Sequence, residues 1–161
     1  MSTSDNGLPA SAQRVQALLR EAGSNATVEL MATTARSAAD AAVAIGCSVA
    51  QIAKSLVFRG VGGRAVLVIA SGTNRVDERK VAAALGEAIG KADADFVRDH
   101  TGYAIGGVAP VGHPPGMRIF IDADLANYDA IWAAAGHPHA VFRLTFAELA
   151  RLTRGSVITV A

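Results

Sequence analysis

Apolar and polar positions alternate in several short segments of the chain, and this period of two predicts β-strands. The clearest alternation covers residues 52–58. Residues 65–70 form a continuous apolar run, typical of a central strand buried on both faces, and glycines at 60, 62 and 63 mark a hairpin turn before it. Further strands are predicted at 27–31, at 117–122 as a half-buried strand, around Phe142 and Leu144, and at 157–160.

Helices are predicted between these strands from apolar spacing and capping residues. Apolar residues over 15–22 have helical spacing, and Gly23 is the expected stop. Four further helices are predicted after the N-caps Ser37, Asp77, Asp93 (through Arg98) and Thr145, with Gly46 and Gly155 as stops for the first and last. Helices and strands therefore mix along the whole chain.

Length and composition favour one domain. The chain has 161 residues, of which 51% are hydrophobic, enough for a real core. We expect a disordered segment at 1–9 and a single domain over 10–161. The net charge of +1 argues against a broad nucleic-acid surface such as a DNA-coating protein needs, although a local basic patch stays compatible with it. No apolar run suits a membrane span, and the lone Cys47 fits a reducing cytoplasm.

Lys54 has the most informative placement in the chain. In a strand over 52–58 it shares a face with Ile52, Leu56 and Phe58. A charged lysine on an apolar face loses solvation unless it meets an anion, a carbonyl or a polar cleft. The alternative is a lysine near a strand end whose ammonium reaches water.

A glycine-rich segment, 101–112, is the second unusual feature. It is either an ordinary surface loop or a loop whose backbone amides serve a ligand. The N–H groups of Gly106 and Gly107 could donate to a carbonyl or carboxylate oxygen, and Pro110 would stiffen the loop. Lys54 facing such a loop would form a pocket for an ester or a phosphate.

Motifs of several other enzyme classes are absent. The chain has no G-x-S-x-G elbow, no H-E-x-x-H helix and no Walker loop. Cys47 has no neighbouring base, so a packed thiol is favoured over a nucleophile. The four histidines lack metal-site spacing, and Pro138 places His137 and His139 in a loop. We therefore expect neither a metal nor a cofactor.

Several segments in order resemble the YbaK/EbsC family of aminoacyl-tRNA deacylases, which are related to the editing domain of prolyl-tRNA synthetases. The resemblance extends from about residue 27 onward. Its segments are 37–42 with Gly46, 51–58, 75–77, 100–103, 106–112, 135–138 and 141–144.

The resemblance implies a mixed α/β fold in which a curved, largely antiparallel sheet is surrounded by helices. It implies hydrolysis of the ester that joins a wrong amino acid to tRNA, most often tRNA for proline. Lys54 matches the family's most consistent functional residue, and Gly106 to Pro110 match its pocket loop. The expected catalytic residues are Lys54, Gly106 and Gly107. The expected substrate-binding residues are Ser55, Thr101, Val108, Pro110, Gly136 and His137.

The implied substrate is mischarged tRNA, most simply tRNA(Pro) carrying a small amino acid such as alanine. Its acceptor end would contact Arg75, Arg79 and Lys80, unless these only form a solvated helix face. Prolyl-tRNA synthetase is a candidate partner, whereas DNA and membranes are not. Several relatives carry serine where Ala109 stands and glycine or serine near His137, which leaves the amino-acid specificity open. Two other functions stay open: a non-catalytic binding module for an amino acid or aminoacyl ester, and a small-molecule esterase or thioesterase.

Overall fold

The computed structural model describes residues 7–32, 35 and 37–161. Within them no helix is long and apolar enough to cross a membrane. Residues 1–6 of the predicted disordered segment lie outside the described residues, whereas Leu8 is buried and Pro9 precedes the first helix. The helices are α1 Ala10–Glu21, α2 Ala38–Ile45, α3 Glu78–Leu85, α4 Ala94–Thr101 and α5 Phe146–Thr153. The strands are β1 Glu29–Leu30, β2 Ile52–Gly60, β3 Ala65–Ser71, β4 Ile89–Lys91, β5 Arg118–Asp122, β6 Ile131–Ala134, β7 Ala140–Leu144 and β8 Ser156–Ile158.

The strands form one mixed sheet. Its order is β1-β7-β6-β2-β3-β5-β8, and β4 pairs with β2 outside this path. The pairs β1·β7, β2·β3, β2·β4 and β6·β7 are antiparallel, whereas β2·β6, β3·β5 and β5·β8 are parallel. Every residue of β3 is buried, as its continuous apolar run predicts. The mixed α/β fold is therefore confirmed.

Apolar clusters cover both faces of the sheet. Leu67, Ile69 and Ile121 pack on one face in a large core that includes α1, while Val68 and Phe120 pack on the other with α3. The half-buried strand predicted at 117–122 is therefore wrong in one respect. Phe120 is only 1% exposed, because α3 covers the face that the alternation assigned to solvent.

Local capping chemistry sets most helix ends. Ser37, Asp77, Asp93 and Thr145 each accept a hydrogen bond from a backbone amide of the first helical turn, as predicted. The end of α5 differs from the prediction, because Arg154 adopts the left-handed conformation with φ 54°. Gly155 instead avoids a steric clash, since a Cβ at this position would lie 3.0 Å from the carbonyl oxygen of Ile119.

One edge of β2 is only partly paired. Its other edge pairs with β3 from Ala53 to Arg59. On the partly paired edge, β6 pairs with residues 52–53 and β4 with residues 58–60. Residues 54–57 therefore border a gap between β6 and β4. The alternation at 52–58 predicts the strand, and the gap arises from strands that the sequence analysis did not identify.

Candidate active site

A cavity of about 480 Å³ opens at this gap and holds most of the predicted site. Lys54 and Ser55 contribute from β2, Gly106 and Val108 from the glycine-rich loop, and His137 from the turn between β6 and β7. Small apolar side chains form most of the remaining wall, together with Trp132 from β6. None of the described residues that line the cavity carries a carboxylate. The site thus combines an apolar wall with a few polar groups, as ligand sites usually do.

Lys54 is partly buried in this cavity. Among the described residues its ammonium has neither a hydrogen bond nor an ion pair. Desolvation lowers the pKa of Lys54 from its ordinary value, and the negative charge of Asp122 partly opposes this shift. The charge is therefore held where it interacts with a polar ligand more strongly than it would in bulk water.

The sequence analysis missed Asp122, which is 1% exposed at the end of β5. Its Oδ2 accepts hydrogen bonds from the backbone N–H of Ser71 at 2.9 Å and from Nδ2 of Asn74 at 2.8 Å. Its Oδ1 accepts one from the N–H of Asp124 at 3.0 Å. Because these bonds satisfy the carboxylate, it influences Lys54 through its charge without a direct contact. A carboxylate directly after the apolar run 119–121 was the available signal.

Ser55 lines the site, and its backbone faces the gap while its hydroxyl is buried. Its Oγ is buried and has no hydrogen-bond partner among the described residues. The amides of Gly72 and Gly60 donate to Ile52 and Arg64 across the β2–β3 edge. Because the direction alternates along a strand, the N–H and C=O of Ser55 point to the opposite edge, into the gap. A buried hydroxyl without a partner costs about 1–3 kcal/mol.

Gly106 and Gly107 have different positions in the loop. Gly106 lines the cavity with φ +91°, has open space where a Cβ would be, and its N–H has no partner among the described residues. Gly107 is buried, and its N–H donates to the carbonyl of Ala104 at 3.0 Å. A ligand-facing amide was expected from both glycines, and only Gly106 leaves its amide free.

Close packing joins this loop to the turn that carries His137. A Cβ on Gly107 would lie 3.0 Å from the backbone nitrogen and Cα of His137. The N–H of His139 donates to Nδ1 of His137 at 3.1 Å, which fixes the imidazole orientation. Gly136 itself lines no part of the cavity; it has φ +88° and lies against Ser11 of α1, whose carbonyl oxygen would be 2.7 Å from an added Cβ.

Polar contacts anchor the rest of the loop. The Tyr103 hydroxyl donates to the carbonyl of Val111 at 2.7 Å, and Nη2 of Arg14 in α1 donates to the carbonyl of Gly112 at 3.1 Å. Nε2 of His113 bonds to the carbonyl of Ala109 at 2.6 Å. Burial lowers the pKa of His113, which favours the neutral ring in that position. These contacts make the loop a rigid wall.

Two other predicted substrate-binding residues support the loop without lining the cavity. The Thr101 hydroxyl donates to the carbonyl of Val97 at 2.6 Å and accepts from the N–H of Tyr103 at 3.0 Å. Pro110 is a buried residue of the loop. Both residues therefore act on the site through the loop conformation.

The predicted tRNA-contacting cations are separated. Arg75 lines a second cavity of about 340 Å³ beside the first. Nε of Arg79 lies 3.7 Å from Oδ1 of Asp77, and Lys80 Nζ donates to the carbonyl oxygen of Ala161. Neither Arg79 nor Lys80 lines either cavity.

Cys47 and the two loop histidines lie apart from any cluster of titratable groups in the described part of the chain. Cys47 is a free thiol whose pKa is raised by burial, which disfavours the reactive thiolate. The rings of His137 and His139 lie 5.4 Å apart, and no group of three potential ligands close enough for a metal occurs in the described part of the chain.

Residues 32–152 match the family model of the aminoacyl-tRNA editing domain. The chain belongs to this family. It is accordingly an aminoacyl-tRNA deacylase, as the sequence resemblance implied, and its substrate class is aminoacyl-tRNA. The matched region contains β2, the glycine-rich loop and the turn at His137, which are the three elements that meet at the cavity.

Individual relatives match most of the chain. YwhH of Bacillus subtilis (strain 168), itself described as uncharacterized, is 31% identical over 125 residues, 78% of this chain and 80% of YwhH. A solved structure described as a candidate trans-editing enzyme for prolyl-tRNA synthetase is 42% identical with a TM-score of 0.90, covering 96% of this chain and 98% of that one. The structure of hypothetical protein APE2540 is 26% identical with a TM-score of 0.85, covering 91% and 98%.

Proposed function

We propose that this deacylase acts in trans on mischarged tRNA(Pro) and removes a small amino acid such as alanine. The observation that carries the proposal is Lys54, an unpaired ammonium in a mainly apolar cavity, with the Gly106 amide on the same cavity wall. The relative described as a candidate trans-editing enzyme for prolyl-tRNA synthetase supports the choice of tRNA. By the same argument, prolyl-tRNA synthetase is a candidate partner that could deliver the substrate.

The arrangement suits the hydrolysis of an activated ester. When water attacks the aminoacyl carbonyl, negative charge develops on its oxygen, and preorganised donors stabilise that charge. Lys54 supplies a positive charge and the Gly106 N–H a dipole, while the backbone N–H and C=O of Ser55 can bind the amino acid's polar groups. Since the described residues that line the cavity offer no carboxylate, the ribose hydroxyl beside the ester is the proposed proton relay: it takes a proton from the attacking water and passes its own to the ribose oxygen that leaves.

Selectivity would depend on the wall formed by His137. Its ring lines the cavity, and the His139 amide holds its orientation. A hydrophobic pocket separates substrates that differ by one methylene by only about 1–3 kcal/mol, so steric exclusion of cognate proline is the more effective route. A small aminoacyl group would fit in front of this wall.

The test is a panel of tRNAs, each charged with alanine, serine, cysteine or proline and incubated with the purified protein. The expected result is release of alanine from tRNA(Pro) with proline left in place, and loss of this activity in Lys54→Met. Release of proline at an equal rate would overturn the selectivity, and equal hydrolysis of alanyl-tRNA(Ala) would overturn the choice of tRNA. A binding module would retain all of the charged tRNAs intact, while a small-molecule esterase would cleave an alanine methyl ester and spare the tRNAs.

A further inference from the structure

The second cavity adjoins the first along one face of β2. Lys54, Leu56, Phe58 and Lys91 line both cavities, and the segment 72–76 with Glu78 completes the second. Lys91 is the cross-strand partner of Phe58, so the two side chains point to the same face of the sheet as Lys54. The volume of about 340 Å³ is within the range of about 300–1,000 Å³ typical of ligand sites.

Positive charge dominates this second cavity. Among the described residues, Lys54, Arg75 and Lys91 line it, against the single acid Glu78. Among the described residues none of the three cations has an ion pair or a side-chain hydrogen bond. Three unpaired cations around a cleft create a local positive potential that attracts phosphate, even on a chain of net charge +1.

The segment that carries Arg75 is held firmly. Nδ2 of Asn74 donates to carboxylate oxygens of Asp122 and Asp124, each at 2.8 Å. At Gly72 an added Cβ would lie 2.3 Å from the carbonyl oxygen of Val49, so the backbone can pass there only as glycine. The exposed Arg75 side chain therefore extends from a fixed backbone, which favours a defined contact over a diffuse one.

We propose that the second cavity binds the 3′-terminal nucleotide of the tRNA, a refinement that rests on the deacylase function proposed above. Lys91 and Arg75 bind the phosphate on the 5′ side of this nucleotide, and the half-buried ring of Phe58 supports its base. The ribose then lies at the junction of the two cavities, so the ester reaches Lys54 and the amino acid enters the larger cavity. The end of the tRNA is thereby recognised without a broad basic surface.

The experiment compares Lys91→Ala and Arg75→Ala with Arg98→Ala, a control that removes an exposed charge lining neither cavity. Two alanine esters serve as substrates: alanyl-tRNA(Pro) and 3′-O-alanyl-adenosine, which has no phosphate. Binding is measured separately with a minihelix whose alanine is joined by a stable amide, at about 50 and about 200 mM salt.

We expect Lys91→Ala and Arg75→Ala to raise KM for alanyl-tRNA(Pro) roughly 3- to 10-fold, with a much smaller change for the adenosine ester. Each should also lower the salt dependence of minihelix binding, by about 0.7 in the slope of log K against log salt, because one phosphate contact on a single strand is lost. Arg98→Ala should change neither quantity.

Three results would overturn the assignment. Wild-type KM and salt slope in both cavity variants would remove the phosphate contact while the deacylase function stands. An effect of Arg79→Ala as large as that of Lys91→Ala would replace the cavity with a diffuse contact along α3. Failure of the wild-type protein to bind the minihelix and to hydrolyse any charged tRNA would overturn this proposal together with the proposed function.

Discussion

Replacing Gly107 by alanine tests whether the glycine-rich loop must lie directly against the turn at His137. The new Cβ would lie 3.0 Å from two backbone atoms of His137 and 3.1 Å from the carbonyl carbon of Gly136. Since no side-chain rotation can relieve these contacts, one of the two loops must move by a few tenths of an ångström. Overpacking of this kind costs about 1–3 kcal/mol. A shift of about 1 Å can lower a rate about 100-fold, so we expect this smaller shift to lower kcat/KM on the order of 10-fold.

The assay is the initial rate of alanine release from alanyl-tRNA(Pro), with the thermal midpoint measured in parallel. A loss of 1–3 kcal/mol corresponds to a decrease of several degrees in a domain of this size. Gly62→Ala is the matched control, because its Cβ meets only Oε2 of Glu87 at an ordinary 3.5 Å. Gly106→Ala separates backbone strain from crowding, since φ is +91° there and the surrounding space is open. A folded Gly107→Ala protein with wild-type kcat/KM would refute the reasoning that this close contact positions the loop.

Three further predictions concern single side chains. Lys54→Met and Lys54→Arg should each lower kcat/KM on the order of 100-fold or more and retain the thermal midpoint, because neither side chain supplies a compact charge at the ester. A near wild-type rate in either folded variant removes Lys54 from the mechanism. His137→Ala should raise kcat/KM for larger aminoacyl groups relative to alanine on the same tRNA, and an unchanged ratio rejects His137 as a wall. Burial lowers the pKa of His113, so the unfolded chain binds a proton on this ring more readily than the folded chain does. The contribution of His113 to the free energy of unfolding is therefore complete above its ordinary pKa near 6.5 and is lost as the pH falls below that value. Urea unfolding at several pH values should therefore show a smaller acid loss in His113→Gln, and identical pH profiles would contradict this.

Local sequence signals predicted the helices and the two central strands well. The capping residues at 37, 77, 93 and 145 act within one helical turn, so their effect is independent of the rest of the fold. β4 and β6 were not predicted, because segments of three or four residues such as Ile-Gly-Lys are too short to show an alternation of apolar and polar positions. Their pairing with opposite ends of β2 is a tertiary event, and it produces the gap where the cavity lies.

In the candidate site, too, the sequence predicted the features that depend on neighbouring residues and missed those that depend on distant ones. The unusual position of Lys54 was visible in the strand pattern, and Gly106 in the glycine-rich loop. The close packing of Gly107 depends on the turn at His137, about 30 residues later in the chain, which no local pattern reports. Trp132 and Lys91 reach the cavity through strands that the analysis did not predict. The hydrogen bonds that hold the Asp122 carboxylate come from Ser71 and Asn74, about 50 residues earlier in the chain.

The contacts of α1 bear on where the working unit of this enzyme begins. The family match starts at residue 32, after α1 has ended. Yet Ser11 lies against the turn that presents His137, and Arg14 holds the glycine-rich loop at Gly112. A shortened protein that started at the family boundary would keep Lys54 and every strand from β2 onward, but both substrate loops would lose their support. Anyone who transplants this editing activity into another protein should carry the N-terminal helix with it.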